Sequence, residues 1–235
     1  VESFADGTVS ANDCLRSISR YFDRITRPEQ LLQALPKAMS VLTDPADCGP
    51  VTLGLCQDVQ AEAWDYPESF FAPRVWHMRR ILSDAAELSR AIEILKSAKR
   101  PMIVAGGGVR YSGASQALTA FADAAGIPVA ATQAGKSSLV EAHPMYVGSL
   151  GVTGASAANN LAAKADVVLS VGSRLQDFTT GSNTLISGQV VALNVQPHDL
   201  VKHGAMPLMA DALTGVEALA AGMEGYGTDG DYRSE

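Results

Sequence analysis

From about residue 83 the apolar positions alternate regularly between two periods. Leu88, Ala91, Ile92 and Leu95 recur at helical spacing behind a capping-box-like Asp84 and Glu87. Pro101 then opens the apolar run MIVAG, which reads as a strand. A second helical stripe, Leu118, Phe121, Ala122 and Ala125, occupies the stretch around 114–125, with Gly126 placed as its C-cap. IPVAAT reads as the next strand, and the small-residue segment GASAANNLAAKA as a helix. DVVLSVGSRL has the unbroken apolar run of a strand buried on both faces, and QVVALNV repeats it. The shorter MPLMADA precedes the helix DALTGVEALAAGM. Strands alternating with helices predict an α/β fold: a doubly wound, mainly parallel sheet with helices on both faces.

Residues 1–73 lack that regularity. RPEQLLQALPKAMSVLTDP places Leu31, Leu32, Leu35, Ala38, Met39 and Leu42 on one helical face, with Pro28 suited to the first turn. Pro36 interrupts the pattern, so the helix is either kinked there or begins later. VTLGL is a short strand, and CQDVQAEAWDYPESFFAP has no clean period and ends in prolines, as a linker does. One helix and one strand do not make a domain, so this region is expected to be the end of a domain whose beginning lies elsewhere.

Composition narrows the function classes. The chain has 235 residues, 47% hydrophobic and 18% charged, which suits a globular protein with a substantial core. A net charge of −7 argues against nucleic acid as a partner. Three cysteines, Cys14, Cys48 and Cys56, without C-x-x-C spacing, suggest neither zinc nor a disulfide framework, and a cytoplasmic setting fits. No apolar run approaches the ~18 residues of a membrane helix, so no membrane partner is expected.

The small and polar residues gather after the strands: GGGVRYSG, TQAGKSS, GSRLQDFTTGS and NVQPHD. In open α/β sheets ligands bind beyond the carboxyl ends of the strands, so these loops should converge on one crevice. The NAD fingerprint is not met. Gly106 and Gly108 fit Gly-x-Gly-x-x-Gly, but the third glycine position is Tyr111, and the second strand ends in Ala131 and Thr132 rather than an acidic residue. A P-loop is absent as well. His198 and His203 are five apart and read as loop histidines rather than metal ligands, and Lys136 with Ser137 and Ser138 as a solvated turn. Arg174 and Asp177 fit an internal ion pair or a ligand contact equally well, and Asn159 and Asn160 read as local capping and packing. No Ser–His–Asp or Cys–His arrangement can be assembled.

Taken together, GPVTLGLCQDVQ, RPMIVAGGGVRYSGA, GKSSLVEAHPMYVGSLGVTG, ADVVLSVGSRLQDFTTGS and LNVQPHD resemble the acetolactate-synthase-like family of thiamine-diphosphate enzymes. Cys56 departs from the proline usual in that family before Gln-Asp. Within the family, DVQAEAWDYP and SRLQDFTTGSNTL are most similar to members that open the ring of a cyclic diketone by C–C hydrolysis in inositol catabolism. The resemblance implies three domains in the intact enzyme: pyrimidine-binding, central and pyrophosphate-binding. Residues 1–73 would be the end of the pyrimidine-binding domain and a linker, 74–224 a Rossmann-like central domain, and 225–235 a linker toward the pyrophosphate-binding domain. Thiamine diphosphate and magnesium would then be held outside this chain, which would be structural and inactive alone, with homo-oligomeric partners. The implied chemistry is attack of the thiamine C2 carbanion on a ketone. Some relatives hold FAD or ADP in the central crevice. Here Gly106, Gly107, Gly108, Gly151, Ser173, Arg174 and Asp177 would line it, and the expectation is a vestigial site holding neither. The alternatives are another carboligase or decarboxylase of the same family, or a free-standing nucleotide-binding module.

Overall fold

The computed structural model of the protein describes residues 5–234. The chain forms two compact units, Val1–Arg79 and Arg80–Glu235. The division lies six residues beyond the proline-rich 73/74 position that the sequence suggests.

In the first unit a short helix α1 (Asp13–Arg16) precedes strand β1 (Tyr21–Ile25), helix α2 (Leu31–Leu42) and strand β2 (Val51–Leu55). The two strands pair in parallel, from Tyr21 opposite Val51 to Ile25 opposite Leu55. The helix runs through Pro36 rather than starting after it. It is entered from a 3-10 turn, Pro28–Gln30, in which the Gln30 side chain accepts from the Thr26 and Arg27 amides at 2.6 and 2.9 Å. Of the predicted face of α2, Ala38 is buried and Leu31 packs against the core, whereas Leu35 and Leu42 are exposed; Ala34 completes the buried face. The core is small: Ile25, Ala34 and Val59, with Leu31, Leu53 and Cys56 against it. Residues 62–71 are more ordered than a linker, because Tyr66 stacks on Phe70 and donates to the Pro28 carbonyl at 2.7 Å.

The second unit is built on six parallel strands: β3 (Pro101–Ala105), β4 (Val129–Ala131), β5 (Tyr146–Ser149), β6 (Val167–Val171), β7 (Gln189–Asn194) and β8 (Met206–Met209). Their order is β5-β4-β3-β6-β7-β8. Counted from β3 this is 3-2-1-4-5-6, the doubly wound order whose switch point lies between the first and fourth strands. The long helices are α3 (Ala85–Ser97), α5 (Ser115–Ala125), α6 (Ser156–Lys164) and α9 (Ala212–Gly222). Short ones, α4 (Gly107–Tyr111), α7 (Asp177–Thr180), α8 (Pro197–Leu200) and α10 (Gly230–Ser234), lie in loops or at the end.

The period of two along each strand sorts the core onto two faces. Ile103, Ala105, Leu169 and Val171 face one cluster, where α3, α5 and α9 contribute Leu95, Leu118, Phe121 and Leu219. Met102, Val104 and Val168 face the other, covered by Ala158 and Ala162 of α6. Asp84 caps α3 by accepting from the Ala86 and Glu87 amides, but Glu87 does not complete a capping box. Its carboxylate instead accepts from the Met209 amide at 2.9 Å, tying α3 to the end of β8. Residues 225–232 pack onto this unit rather than extend as a linker. Thr228 donates from its amide to Ala125 at 2.9 Å, and the Tyr232 hydroxyl to Pro101 at 2.8 Å. No helix of the described residues is long and apolar enough to cross a membrane.

Candidate functional site

The crevice region follows from the switch point. β3 and β6 are neighbours, and the chain leaves their carboxyl ends toward opposite sides of the sheet. The glycine turn after β3 begins at Gly106, in extended conformation as N-cap of α4. It lies directly against the turn after β6. The Gly106 amide donates to the Val171 carbonyl at 2.8 Å and the Gly108 amide to the Gly172 carbonyl at 2.9 Å. A Cβ on Gly108 would stand 2.7 Å from the Gly172 Cα, and one on Gly106 would overlap the Gly172 carbonyl oxygen. Gly172 itself has φ +59°. The glycines are therefore required for two backbones to touch, and two of the amides that a phosphate would need are already satisfied. Gly107 is buried in the first turn of α4.

The remaining sequence candidates fall into two groups. Ser173 and Gly151 are held in place by the protein itself. The Ser173 hydroxyl accepts from the Leu175 amide at 3.1 Å, and its carbonyl accepts from Asn194 Nδ2 at 3.0 Å. Gly151, at φ +131°, is gripped by Asn159, whose Oδ1 accepts from its amide at 3.1 Å and whose Nδ2 donates to its carbonyl at 2.9 Å. Val152 donates to the Phe178 carbonyl at 3.0 Å, which brings the turn after β5 to helix α7. Arg174 and Asp177 are exposed, and among the described residues they form no ion pair with each other or with another group. The two readings of this pair thus resolve against the internal ion pair.

Sequence reasoning missed three residues that organise the crevice. Asn194 ends the buried strand β7 and bridges to the turn after β6. Asp199, buried in α8, pairs with Lys202, which also donates to the Arg174 carbonyl at 3.2 Å. The signal for Asn194 was a polar residue closing an otherwise apolar strand. Asp199 and Lys202 carried an i,i+3 charge pairing. Both loop histidines are exposed, and His203 bonds through Nε2 to the Leu175 carbonyl at 2.9 Å. Lys136 is exposed, and its carbonyl accepts from Arg110 at 3.1 Å. Among the described residues no three of His, Cys, Asp or Glu lie close enough to hold a metal ion. The arrangement positions loops. It does not assemble a nucleophile with a base.

Comparison with known proteins agrees with this geometry. Residues 88–219, more than half of the chain, match the family described as "thiamine pyrophosphate enzyme, central domain". A protein of Geobacillus thermodenitrificans (strain NG80-2) named 3D-(3,5/4)-trihydroxycyclohexane-1,2-dione hydrolase is 46% identical over 227 residues, covering 96% of this chain and 36% of its own length. A protein of the same name from Bacillus cereus (strain AH820) is 45% identical over 222 residues. The chain thus spans about a third of the length of the curated relatives it matches. An X-ray structure from Mycobacterium smegmatis, described as that of a thiamin diphosphate-dependent enzyme, superposes with a TM-score of 0.73 at 26% identity. It covers 93% of this chain and 42% of the other.

Proposed function

The chain belongs to the thiamine pyrophosphate enzyme family, matching its central domain, and from that premise we propose that it is the architectural centre of a thiamine-diphosphate-dependent hydrolase that cleaves a C–C bond in a cyclic diketone. The substrate in this reading is 3D-(3,5/4)-trihydroxycyclohexane-1,2-dione, and the setting is inositol catabolism in the cytoplasm. The observation that carries it is the 46% identity, sustained over 227 residues, to a protein named for that reaction. The first unit would be the end of a pyrimidine-binding domain, and the remaining domains of the polypeptide, in a homo-oligomer, would supply catalysis.

In this family thiamine diphosphate, held with magnesium, serves as the electron sink for C–C cleavage. The described residues of this chain do not fit that group. They offer no three-ligand cluster of His, Cys, Asp or Glu for magnesium, and two amides of the glycine turn are bonded to Val171 and Gly172 instead of standing open to a diphosphate. The contribution of the chain is to hold the crevice loops. Gly106, Gly107, Gly108, Gly151, Ser173, Arg174 and Asp177 would be a vestigial nucleotide crevice, closed by backbone contact rather than filled by FAD or ADP.

The test is an assay of dione consumption, with thiamine diphosphate and magnesium added, on protein made from the whole reading frame and on the 235-residue chain. Turnover by the first alone supports the reading. Turnover by the chain alone, or carboligation of pyruvate in place of hydrolysis by the longer protein, overturns it. Heat-unfolding titrations with FAD, ADP and NAD address the crevice, and clear stabilisation at micromolar nucleotide would remove its vestigial status.

A further inference from the structure

The two faces of the six-stranded sheet are unequally covered: α3, α5 and α9 pack on one, and α6 on the other. Between β6 and β7 no crossover helix of ordinary length forms. α7 has four residues, and an irregular stretch from Gly181 to Gly188 leads down to β7. This stretch roofs a cavity of about 160 Å³. Its lining is apolar at Leu175, Ile186 and Val190 and polar at Thr180, Asn183, Ser187 and His203. We propose that the cavity is a binding site for a small uncharged polyhydroxyl molecule. It lies outside the glycine crevice, and its assignment is independent of the proposed reaction.

Three observations converge on that ligand class. No Asp, Glu, Lys or Arg lines the cavity, so a charged ligand would find no counter-charge there. The lining combines carbon surface with an amide and an imidazole, groups that can receive the C–H and the hydroxyl groups of a polyol. The polar lining is also preformed. The Thr180 hydroxyl accepts from the Asn183 amide at 3.0 Å and donates to the Gln176 carbonyl at 3.3 Å, so it fixes the loop and leaves recognition to its neighbours. The Asn183 side-chain amide has no hydrogen-bond partner among the described residues, so a donor and an acceptor stay available. His203 Nε2, 2.9 Å from the Leu175 carbonyl, donates to it, which leaves Nδ1 as an acceptor.

Backbone conformation sets this cavity apart from the rest of the unit. Five non-glycine residues among those described have positive φ. Leu175 (+42°), Asn183 (+65°) and His203 (+58°) line the cavity, and Ser182 (+53°) adjoins it. Such conformations cost energy and persist where surrounding bonds over-determine them, as at ligand clamps. Rigid walls of this kind lower the ordering cost of binding.

The experiment uses the full chain, 15N-labelled and titrated with myo-inositol as the polyol probe, with amide shifts read by NMR. Shifts are expected in 175–188 and at 203. Asn183→Gly keeps the left-handed backbone and removes the side-chain amide; it should weaken binding roughly tenfold, the size of losing one or two hydrogen bonds. Ile186→Trp fills the cavity and should abolish binding. No shift in those segments at saturating inositol overturns the proposal, and so does equal affinity in the wild type and Asn183→Gly. If Ile186→Trp does not fold, the Asn183→Gly titration decides. The readout uses no thiamine cofactor and no turnover, so its failure leaves the proposed reaction standing.

Discussion

The two units use the same local grammar, a strand, a helix and a parallel strand, with opposite results for burial. In the second unit the strands are covered on both faces, and Leu95, Ile103, Leu118, Leu169, Leu193 and Leu208 are wholly buried. In the first, two strands and one helix bury Ile25 and Ala34, while Ile18, Leu42 and Leu55 remain 64%, 46% and 46% exposed. The difference is one of layers. A sheet gains stability when both its faces and its neighbouring edges are covered, and two strands with one helix supply too little cover. Sequence periodicity reports which residues want burial; the number of packed layers decides which obtain it.

The largest effect should come from the backbone contact at the switch point. Gly172→Ala places a Cβ 2.6 Å from the Gly108 Cα on a residue at φ +59°, and should cost about 3–4 kcal/mol in urea unfolding of the second unit. Gly113→Ala separates the two causes, because Gly113 also has positive φ (+72°) but nothing lies within 4 Å of its would-be Cβ. Strain alone should then cost about 1 kcal/mol. Equal losses would show that the close approach of the β3 and β6 turns contributes nothing.

The contrast between units can be read by paired truncations. Leu118→Ala removes a fully buried side chain from the first-face cluster and should cost about 3 kcal/mol. Leu42→Ala, in the leucine stripe that sequence placed inward on α2, should cost less than about 0.5 kcal/mol because that side chain is already 46% exposed. A loss at Leu42 as large as at Leu118, measured by chemical unfolding, would mean that the stripe is buried in solution.

These pairs also show what the sequence disclosed. β3, β6 and β7 were legible because buried parallel strands are continuous apolar runs, and a parallel, doubly wound sheet followed from the alternation with helices, whereas the strand order came only from the structure. β1 was not legible. Asp23 and Arg24 break up YFDRI, and its partner β2 lies beyond an entire helix. β5 was missed because Gly148 and Ser149 leave YVGS without an apolar run. At the crevice, the glycines were visible and their purpose was not, since contact between Gly108 and Gly172 joins positions 64 residues apart in the chain. Whether a glycine spares room for a phosphate or for another backbone depends on what folds against it.

A smaller contrast lies in one ion pair from each unit. Asp211, at 8% side-chain exposure, meets Arg80 at 2.8 Å and caps α9 by accepting from the Leu213 amide at 3.1 Å. Asp211→Asn removes the charge and retains an acceptor for the cap, so about 1–2 kcal/mol should be lost. Asp44 and Arg79 meet at 3.3 Å with 26% and 81% exposure, and Arg79→Ala should change stability by less than about 0.5 kcal/mol. Similar values for the two would indicate that Asp211 acts through its cap alone.

The smallest effect is a pH dependence centred on Tyr21 in the first unit. Loss of water around the Tyr21 phenol, its hydrogen bond to Asp23 Oδ2 at 2.9 Å and the negative charge of Asp23 push its pKa up to about 12. Folding therefore favours the protonated phenol. The stabilisation is complete below the ordinary tyrosine value near 10 and fades as pH rises from there toward 12. Ultraviolet titration of tyrosinate should show the latest-ionising group of the wild type near 12, and that group should be absent in Tyr21→Phe. Asp23→Asn removes the neighbouring charge and should bring that group back toward 10. If the late group survives Tyr21→Phe, it belongs to another tyrosine. Tyr226 of the second unit is the candidate, because burial and the Asp166 charge also raise its pKa. The alkaline transition would then report the better-covered unit, and the pH contrast between the two would be reversed.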